Sequence, residues 1–165
     1  MPLIILETVI LAPIDIVFDL SRSIDLHKES TKDTKEEAIS GRTTGLIKLN
    51  ESVTWKARHF GFTQILTSKI TAYDSPSYFI DEMTKGIFKS FSHKHSFTEK
   101  DGQTTLIDSF NYESPLGLVG RIADYLFLKR YMTKFLIKRN LIIKEYAESE
   151  KWKKFLNAVY LLEQP

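Results

Sequence analysis

The chain has 165 residues, with 23 basic and 21 acidic side chains and no cysteine. A disulfide framework, a cysteine nucleophile and a thiolate metal site are therefore excluded, and a net charge of +2 does not indicate nucleic-acid binding. The length and the 42% hydrophobic content favour a single soluble domain with a sizeable core. Because the sequence has no uncharged run of membrane-spanning length and no secretory signal, we expect a cytoplasmic protein.

The first part of the chain predicts a strand followed by two short helices. Residues 3–12 are apolar and rich in β-branched side chains, which is typical of a strand. Pro13 is tolerated in the first turn of a helix, and a short amphipathic helix follows it. Residues 23–30 predict a second short helix with Ser23 as its cap, and the polar residues 31–35 predict a loop.

A long β region follows. The predicted strands are 36–40, 51–59, 62–73, 78–84, 87–98 and 103–112. The Asp101-Gly102 pair between two alternating runs is a strong hairpin signal. Strands joined by such short connections predict an antiparallel meander.

The periodicity changes after Pro115. From residue 116 to about 148 the apolar positions recur every three or four residues, which predicts one long helix. We therefore expect an α+β fold, in which a curved antiparallel sheet of about seven strands wraps around the C-terminal helix and encloses a cavity. Residues 1–148 would form this single domain, and 149–165 a helical extension or tail.

This order of elements resembles the START-like superfamily, also called SRPBCC, which includes polyketide cyclases and the birch-pollen allergen family. The segments that carry the resemblance are Ala12-Pro13-Ile14-Asp15-Ile16-Val17-Phe18-Asp19, Val53-Thr54-Trp55-Lys56-Ala57, Phe79-Ile80-Asp81-Glu82, Gly86, His93-Lys94-His95-Ser96-Phe97, Asp108-Ser109-Phe110-Asn111-Tyr112 and Pro115-Leu116-Gly117. The chain looks most like the uncharacterised bacterial ligand-binding members. The resemblance implies the fold but not the substrate, because this scaffold hosts binding, transport, cyclisation and regulation.

Alternation along the strands places polar residues on the face that meets the helix. His93 and His95 share a face with Phe91, and Trp55 shares one with His59. In the last strand the inward set is Leu106, Asp108, Phe110 and Tyr112. Three histidines and an aspartate are therefore expected within an apolar lining.

The direction of Asp81 depends on the connection before residue 87. A two-residue connection turns Ile80 and Glu82 inward, whereas a three-residue connection turns Asp81 inward together with Phe79 and Met83. We favour the second, because those flanking side chains are bulky and Gly86 would suit the left-handed position of a bulged turn.

Arg139 lies near the centre of the apolar stripe of the long helix, so it should face the sheet. A buried guanidinium requires an anionic partner. The candidates are Asp108, Asp81 and a ligand carboxylate. The ion pair between Arg139 and its partner could either fix the helix to the sheet or help to select the ligand in the pocket.

Three functions are compatible with this sequence. The preferred one is binding of a small hydrophobic molecule, which is lipid-, polyketide- or aromatic-like, in the cavity between sheet and helix. The predicted ligand-binding residues are Trp55, His59, Asp81, Phe91, His93, His95, Asp108, Phe110, Tyr112, Met132, Phe135 and Arg139. The second is a cyclase or dehydrase, with His93, His95, His59 and Asp108 as candidate catalytic groups. Structural hydrogen bonding within the core is the simpler interpretation of the same polar residues.

The third function is an interaction protein that acts through the outer face of the long helix. Arg130, Lys134, Lys138 and Lys144 lie there among Phe127, Ile137 and Leu141. A solvated charged face is the simpler interpretation, and contact with an anionic membrane surface is not favoured. The apolar run 155–162 could cover the three apolar residues.

Two histidines on one strand are only part of a metal site, so we predict no metal and no cofactor. We expect the protein to be a monomer or a homodimer.

Overall fold

The computed structural model describes residues 2–59, 61–115 and 127–156. The strands in these residues are β1 (Leu3–Ile10), β2 (Glu37–Gly41), β3 (Ser52–His59), β4 (Phe62–Asp74), β5 (Tyr78–Lys85), β6 (Ser90–Lys100) and β7 (Gln103–Glu113). They form one antiparallel sheet in the order β1-β7-β6-β5-β4-β3-β2. The predicted meander is confirmed, and β1 closes against the last strand rather than the second.

Three α-helices accompany the sheet in the described residues: α1 (Ile14–Ser21), α2 (Ile24–Ser30) and α3 (Lys129–Ala147). Ser23 caps α2 as predicted, because its hydroxyl accepts a 3.2 Å hydrogen bond from the backbone N–H of Leu26. The predicted start of the long helix, residues 116–126, lies outside the described residues. None of the described helices is long and apolar enough to cross a membrane.

One short segment differs from the sequence prediction, and another agrees with one of its two alternatives. The expected loop at 31–35 contains a 3-10 helix, Lys32–Thr34, which ends at Lys35 in the left-handed conformation. Beyond α3, a second 3-10 helix, Glu150–Trp152, leads into helical residues 153–156. The extension therefore continues as helix in its described part.

The Asp101-Gly102 hairpin is confirmed. Both residues have positive φ, 53° and 73°, and Lys100 pairs directly with Gln103. This is the conformation of a two-residue type I′ turn, which suits the twist of the flanking strands.

The strand predicted at 87–98 begins only at Ser90. Phe88 is buried instead, with its ring 5.3 Å from that of Tyr112, so the segment before Ser90 folds into the core as a loop. Gly86 was predicted to occupy the left-handed position of a bulged turn. This prediction is wrong, because Gly86 is not among the glycines with positive φ. Glycine is needed there for space, because a Cβ would lie 2.7 Å from the sulfur of Met83.

The core is divided into two apolar clusters. The larger one packs α1, α2 and the end of α3 on the sheet, and it contains Phe18, Phe97 and Leu106. The smaller one is mainly aromatic and contains Phe91, Phe110 and Tyr112, with Leu136 from α3. The candidate site lies between these two clusters.

Candidate functional site

A polar layer crosses the core between the two apolar clusters. Along β6, His93 and His95 are flanked by Phe91 in the smaller cluster and Phe97 in the larger one. Along β7, Asp108 lies between Phe110 and Leu106 in the same way. The alternation of side chains along each strand therefore places the polar residues at one level of the sheet, where they meet each other.

Asp108 is the centre of this layer and is fully buried. Its Oδ1 accepts a 2.8 Å hydrogen bond from Nε2 of His93, and its Oδ2 accepts a 2.6 Å bond from Nδ2 of Asn140 on α3. Oδ1 also lies 2.8 Å from Nδ1 of His95. That contact is off the line of a hydrogen bond, and Nδ1 has no hydrogen-bond partner, so the attraction is electrostatic only.

Asp81 faces inward, as we favoured. The register of β5 and β6 decides this, because Asp81 lies opposite His93 and Phe79 lies opposite His95. Its Oδ1 accepts a 2.9 Å hydrogen bond from Nε2 of His95 and lies 3.9 Å from Nδ1 of His93. Asp81 and Asp108 therefore hold the two adjacent imidazoles, whose ring centroids are 3.8 Å apart, from two sides.

Arg139 faces the sheet and is only 6% exposed, as its position on the stripe predicts. Its Nη2 donates a 2.8 Å hydrogen bond to the carbonyl of Ser21, the last residue of α1. Its Nη1 lies 3.6 Å from Oδ1 of Asp108, which is the anionic partner among those considered. The guanidinium thus meets the negative end of α1 and ties α1, α3 and the sheet together.

Burial and mutual contact set the charges of the layer. Burial raises the pKa of Asp108, but hydrogen bonds with His93 and contact with His95 outweigh it and hold that pKa well below its usual value. Asp81 has a lowered pKa for the same kind of reason, through its bond with His95. Both groups are carboxylates, so Asp108 accepts a hydrogen bond from His93 and Asp81 accepts one from His95.

The two histidines differ in their preferred protonation. Burial and the neighbouring His95 lower the pKa of His93, which favours its neutral form with the proton on Nε2. Burial also opposes charge on His95, but the Asp108 and Asp81 carboxylates outweigh it and raise the pKa of His95. The lone pair of neutral His93 is consequently on Nδ1, the atom that points toward Asp81.

His59 does not join this layer, although it shares the inward face of β3. Its Nδ1 is hydrogen-bonded to the Tyr131 hydroxyl at 2.6 Å, and its Nε2 lies 3.7 Å from Glu36. Glu36 also accepts a 2.7 Å hydrogen bond from Nε2 of His27, whose ring lies against Trp55 at 4.3 Å. A second polar cluster, which we call the Glu36 cluster, consists of His27, Glu36, His59 and Tyr131.

A cavity of about 190 Å³ separates the sheet from α3. Ten of the predicted ligand-binding residues line it. They are Trp55, His59, Asp81, Phe91, His93, His95, Phe110, Met132, Phe135 and Arg139. The other two, Asp108 and Tyr112, are fully buried but do not line the cavity wall. Asp108 therefore lies behind the lining residues His93 and His95 and contacts both of them.

Four polar residues of the region were missed from the sequence: His27, Glu36, Tyr131 and Asn140. Asn140 had a signal, because it follows Leu136 by four residues and precedes Ile143 by three on the buried side of α3. His27 and Glu36 had no such signal, because no local periodicity relates them. Only the tertiary arrangement places His27 of α2 beside Glu36 and against Trp55 of β3.

The outer face of α3 carries exposed apolar side chains in its described part. Ile137 and Leu141 are 43% and 57% exposed, and Phe127, which precedes the helix, is 48% exposed. Leu156 packs into the larger core cluster and Phe155 against Tyr146, so the described start of the run 155–162 does not cover that face. The remainder of that run lies outside the described residues. Lys144 is not free, because its Nζ donates a 2.6 Å hydrogen bond to the Val9 carbonyl at the edge of β1.

The fold is the START-like helix-grip fold. No family model matches the chain, and no curated protein matches it in sequence. Among solved structures, protein TTHA0849 from Thermus thermophilus is similar with a TM-score of 0.72 and 16% identity, over 88% of this chain and 97% of that one. The ginseng major latex-like protein 151 from Panax ginseng has a TM-score of 0.66 and 17% identity, over 90% and 98%.

A START superfamily protein from Mycobacterium smegmatis is also similar, with a TM-score of 0.66 and 10% identity over 88% of this chain and 97% of that one. The similar structures are thus matched over nearly their whole length. At these identities the likeness concerns the fold alone.

Proposed function

We propose that the protein binds a small hydrophobic molecule in the cavity between the sheet and α3. The observation that carries the proposal is the mainly apolar lining around a space of about 190 Å³, with polar groups at restricted positions. Such a lining favours an apolar ligand body, and Asp81, His93 and Arg139 would orient one polar substituent. A cytoplasmic location and a single domain at 1–148 are part of the same proposal.

The volume restricts the size of the ligand. An apolar cavity of about 150 Å³ holds a benzene ring, so this one suits a single-ring aromatic or a short branched aliphatic compound. A larger lipid or polyketide would require the cavity to widen. We therefore expect one-ring compounds with one hydroxyl or carbonyl group to bind better than compounds with two fused rings.

Tryptophan fluorescence provides the test. Trp55 lines the cavity and Trp152, the other tryptophan, does not, so a ligand in the cavity should change the emission of Trp55. The probes are phenol, benzyl alcohol and acetophenone, with 2-naphthol as the larger member. Saturable quenching by the one-ring probes is the expected result.

A cavity-filling substitution provides the control for location. Ala57 is buried on the cavity wall, whereas the adjacent Lys56 is exposed on the opposite face. Ala57→Leu should weaken binding by about tenfold or more, and Lys56→Leu should leave it unchanged. Equal binding by both variants, or no saturable binding by any probe, would refute the proposal.

A further inference from the structure

Three side chains with metal-ligating atoms converge on one wall of the cavity. One ligand atom from each of Asp81, His93 and His95 lies within 4.8 Å of the other two. Oδ1 of Asp81 is 2.9 Å from Nε2 of His95 and 3.9 Å from Nδ1 of His93. Ligand atoms around a tetrahedral zinc ion lie about 3.4 Å apart, which follows from its bond lengths of about 2.1 Å. The two measured separations lie on either side of that value.

Asp108 occupies the position of a supporting group behind both histidines. Metal-bound histidines usually donate their other ring N–H to a carboxylate, which fixes the tautomer and the ring orientation. Nε2 of His93 already donates to Asp108, which leaves Nδ1 directed at the cluster. Nδ1 of His95 lies 2.8 Å from the same oxygen and has no hydrogen bond. If Nε2 of His95 bound a metal, its proton would leave, and the remaining proton on Nδ1 would lie beside Oδ1 of Asp108, at 2.8 Å.

The cluster is also accessible from the cavity. Asp81, His93 and His95 all line it, so an ion held by them would have a coordination position facing the open space. Three protein ligands with one open position are the arrangement of a zinc site that binds water or another ligand.

Charge and ligand type decide which ion would fit. Asp81 and Asp108 contribute two negative charges against three positive ones, two from a divalent ion and one from Arg139, which remains bound to the Ser21 carbonyl. Two imidazoles with one carboxylate suit zinc and neighbouring transition metals, whereas calcium and magnesium prefer oxygen ligands.

We propose that Asp81, His93 and His95 bind a divalent transition-metal ion of the zinc class, with Asp108 as the shared supporting carboxylate. The sequence had suggested no metal because β6 supplies only two histidines. The register of the sheet brings Asp81 of β5 beside them as the third ligand. The proposal goes beyond the proposed function and shares Asp81 and His93 with it, but Zn²⁺ binding can be tested without any hydrophobic ligand.

The test uses Zn²⁺ and Co²⁺ alone with tag-free, chelator-treated protein. Zn²⁺ affinity is measured by competition with a chromophoric chelator near neutral pH, and Co²⁺ is followed by its visible absorption. We expect one Zn²⁺ per chain and the intense visible bands of tetrahedral Co²⁺. Asp81→Asn should weaken Zn²⁺ binding by about tenfold or more, because it removes a ligand charge with little change in size.

The control variant is His59→Gln, which removes a cavity histidine of the Glu36 cluster and should bind Zn²⁺ like the original chain. No Zn²⁺ binding by the original chain, or equal affinity in Asp81→Asn, would overturn the proposal. So would an equal loss in His59→Gln. If Asp81→Asn does not fold, NMR of the original chain decides the matter. Zn²⁺ must then shift the imidazole resonances of His93 and His95 and leave those of His59 unchanged.

Discussion

Asn140 of α3 donates a 2.6 Å hydrogen bond to Asp108 of β7, and both side chains are fully buried. The same amide group lies 3.2 Å from the Thr8 hydroxyl on β1. The long helix is therefore fixed to the sheet at a polar contact, although apolar packing surrounds it on both sides. This contact holds the wall of the cavity in place.

Asp108→Asn should strongly destabilise the fold. Asp108 lies beside His95 and Arg139, so removal of its charge leaves these two buried groups without their main counter-charge, and His93 loses a charged acceptor. We expect the free energy of unfolding to fall by about 3 kcal/mol, as for other broken buried ion pairs. Urea unfolding measures this change.

The matched control for Asp108→Asn is Asp74→Asn, the same substitution at the exposed end of β4. Exposed substitutions of this kind change the free energy of unfolding by less than about 0.5 kcal/mol. Similar losses in the free energy of unfolding for Asp108→Asn and Asp74→Asn would contradict the prediction.

Arg139→Met should destabilise the protein by about 2 kcal/mol, because the Ser21 carbonyl loses a charged hydrogen-bond donor while the apolar stem is retained. Lys138→Met is the comparison, since Lys138 is on the exposed side of the same helix and pairs with Asp33 at the surface. Surface pairs contribute little to stability. Thermal unfolding of both variants checks the difference, and a larger loss in Lys138→Met would contradict it.

Gly86→Ala should lower the free energy of unfolding by about 1 kcal/mol, through crowding rather than backbone strain. The added Cβ would lie 2.7 Å from the Met83 sulfur and 3.2 Å from Cδ1 of Leu66. In a Met83→Ala background the same substitution should cost less, because the closest atom is gone. A double-mutant cycle by urea unfolding measures the coupling. Strict additivity would show that crowding against Met83 is not the cause.

The pH dependence of stability should include a contribution from His59. Burial lowers its pKa, against a smaller opposite effect of Glu36, so the folded state favours the neutral ring. The unfolded chain then binds more protons, and stability rises with pH. The contribution is complete above the unfolded pKa near 6.5 and is lost as the pH falls through the lower folded pKa.

The measurement is urea unfolding of the original chain and of His59→Gln, at several values between about pH 5 and pH 8. The original chain should lose more stability on acidification than the variant. Parallel curves for the two proteins would exclude the contribution of His59.

The sequence by itself determined the strands, the inward faces and the buried position of Arg139. The physical reason is that these features depend on local periodicity, which is two residues along a strand and 3.6 along a helix. The strand boundary at Ser90 was missed, because Phe88 is apolar in a strand and in a loop that packs into the core. Periodicity does not distinguish those two cases.

The tertiary structure alone decided which polar residues meet. Asp81 reaches His95 through the register of β5 and β6, and Glu36 reaches His27 and His59 because α2 packs beside β2, with His27 against Trp55 of β3. The size of the cavity likewise depends on how far α3 lies from the sheet. Contacts between distant segments depend on register and packing, and neither has a local pattern from which it can be predicted.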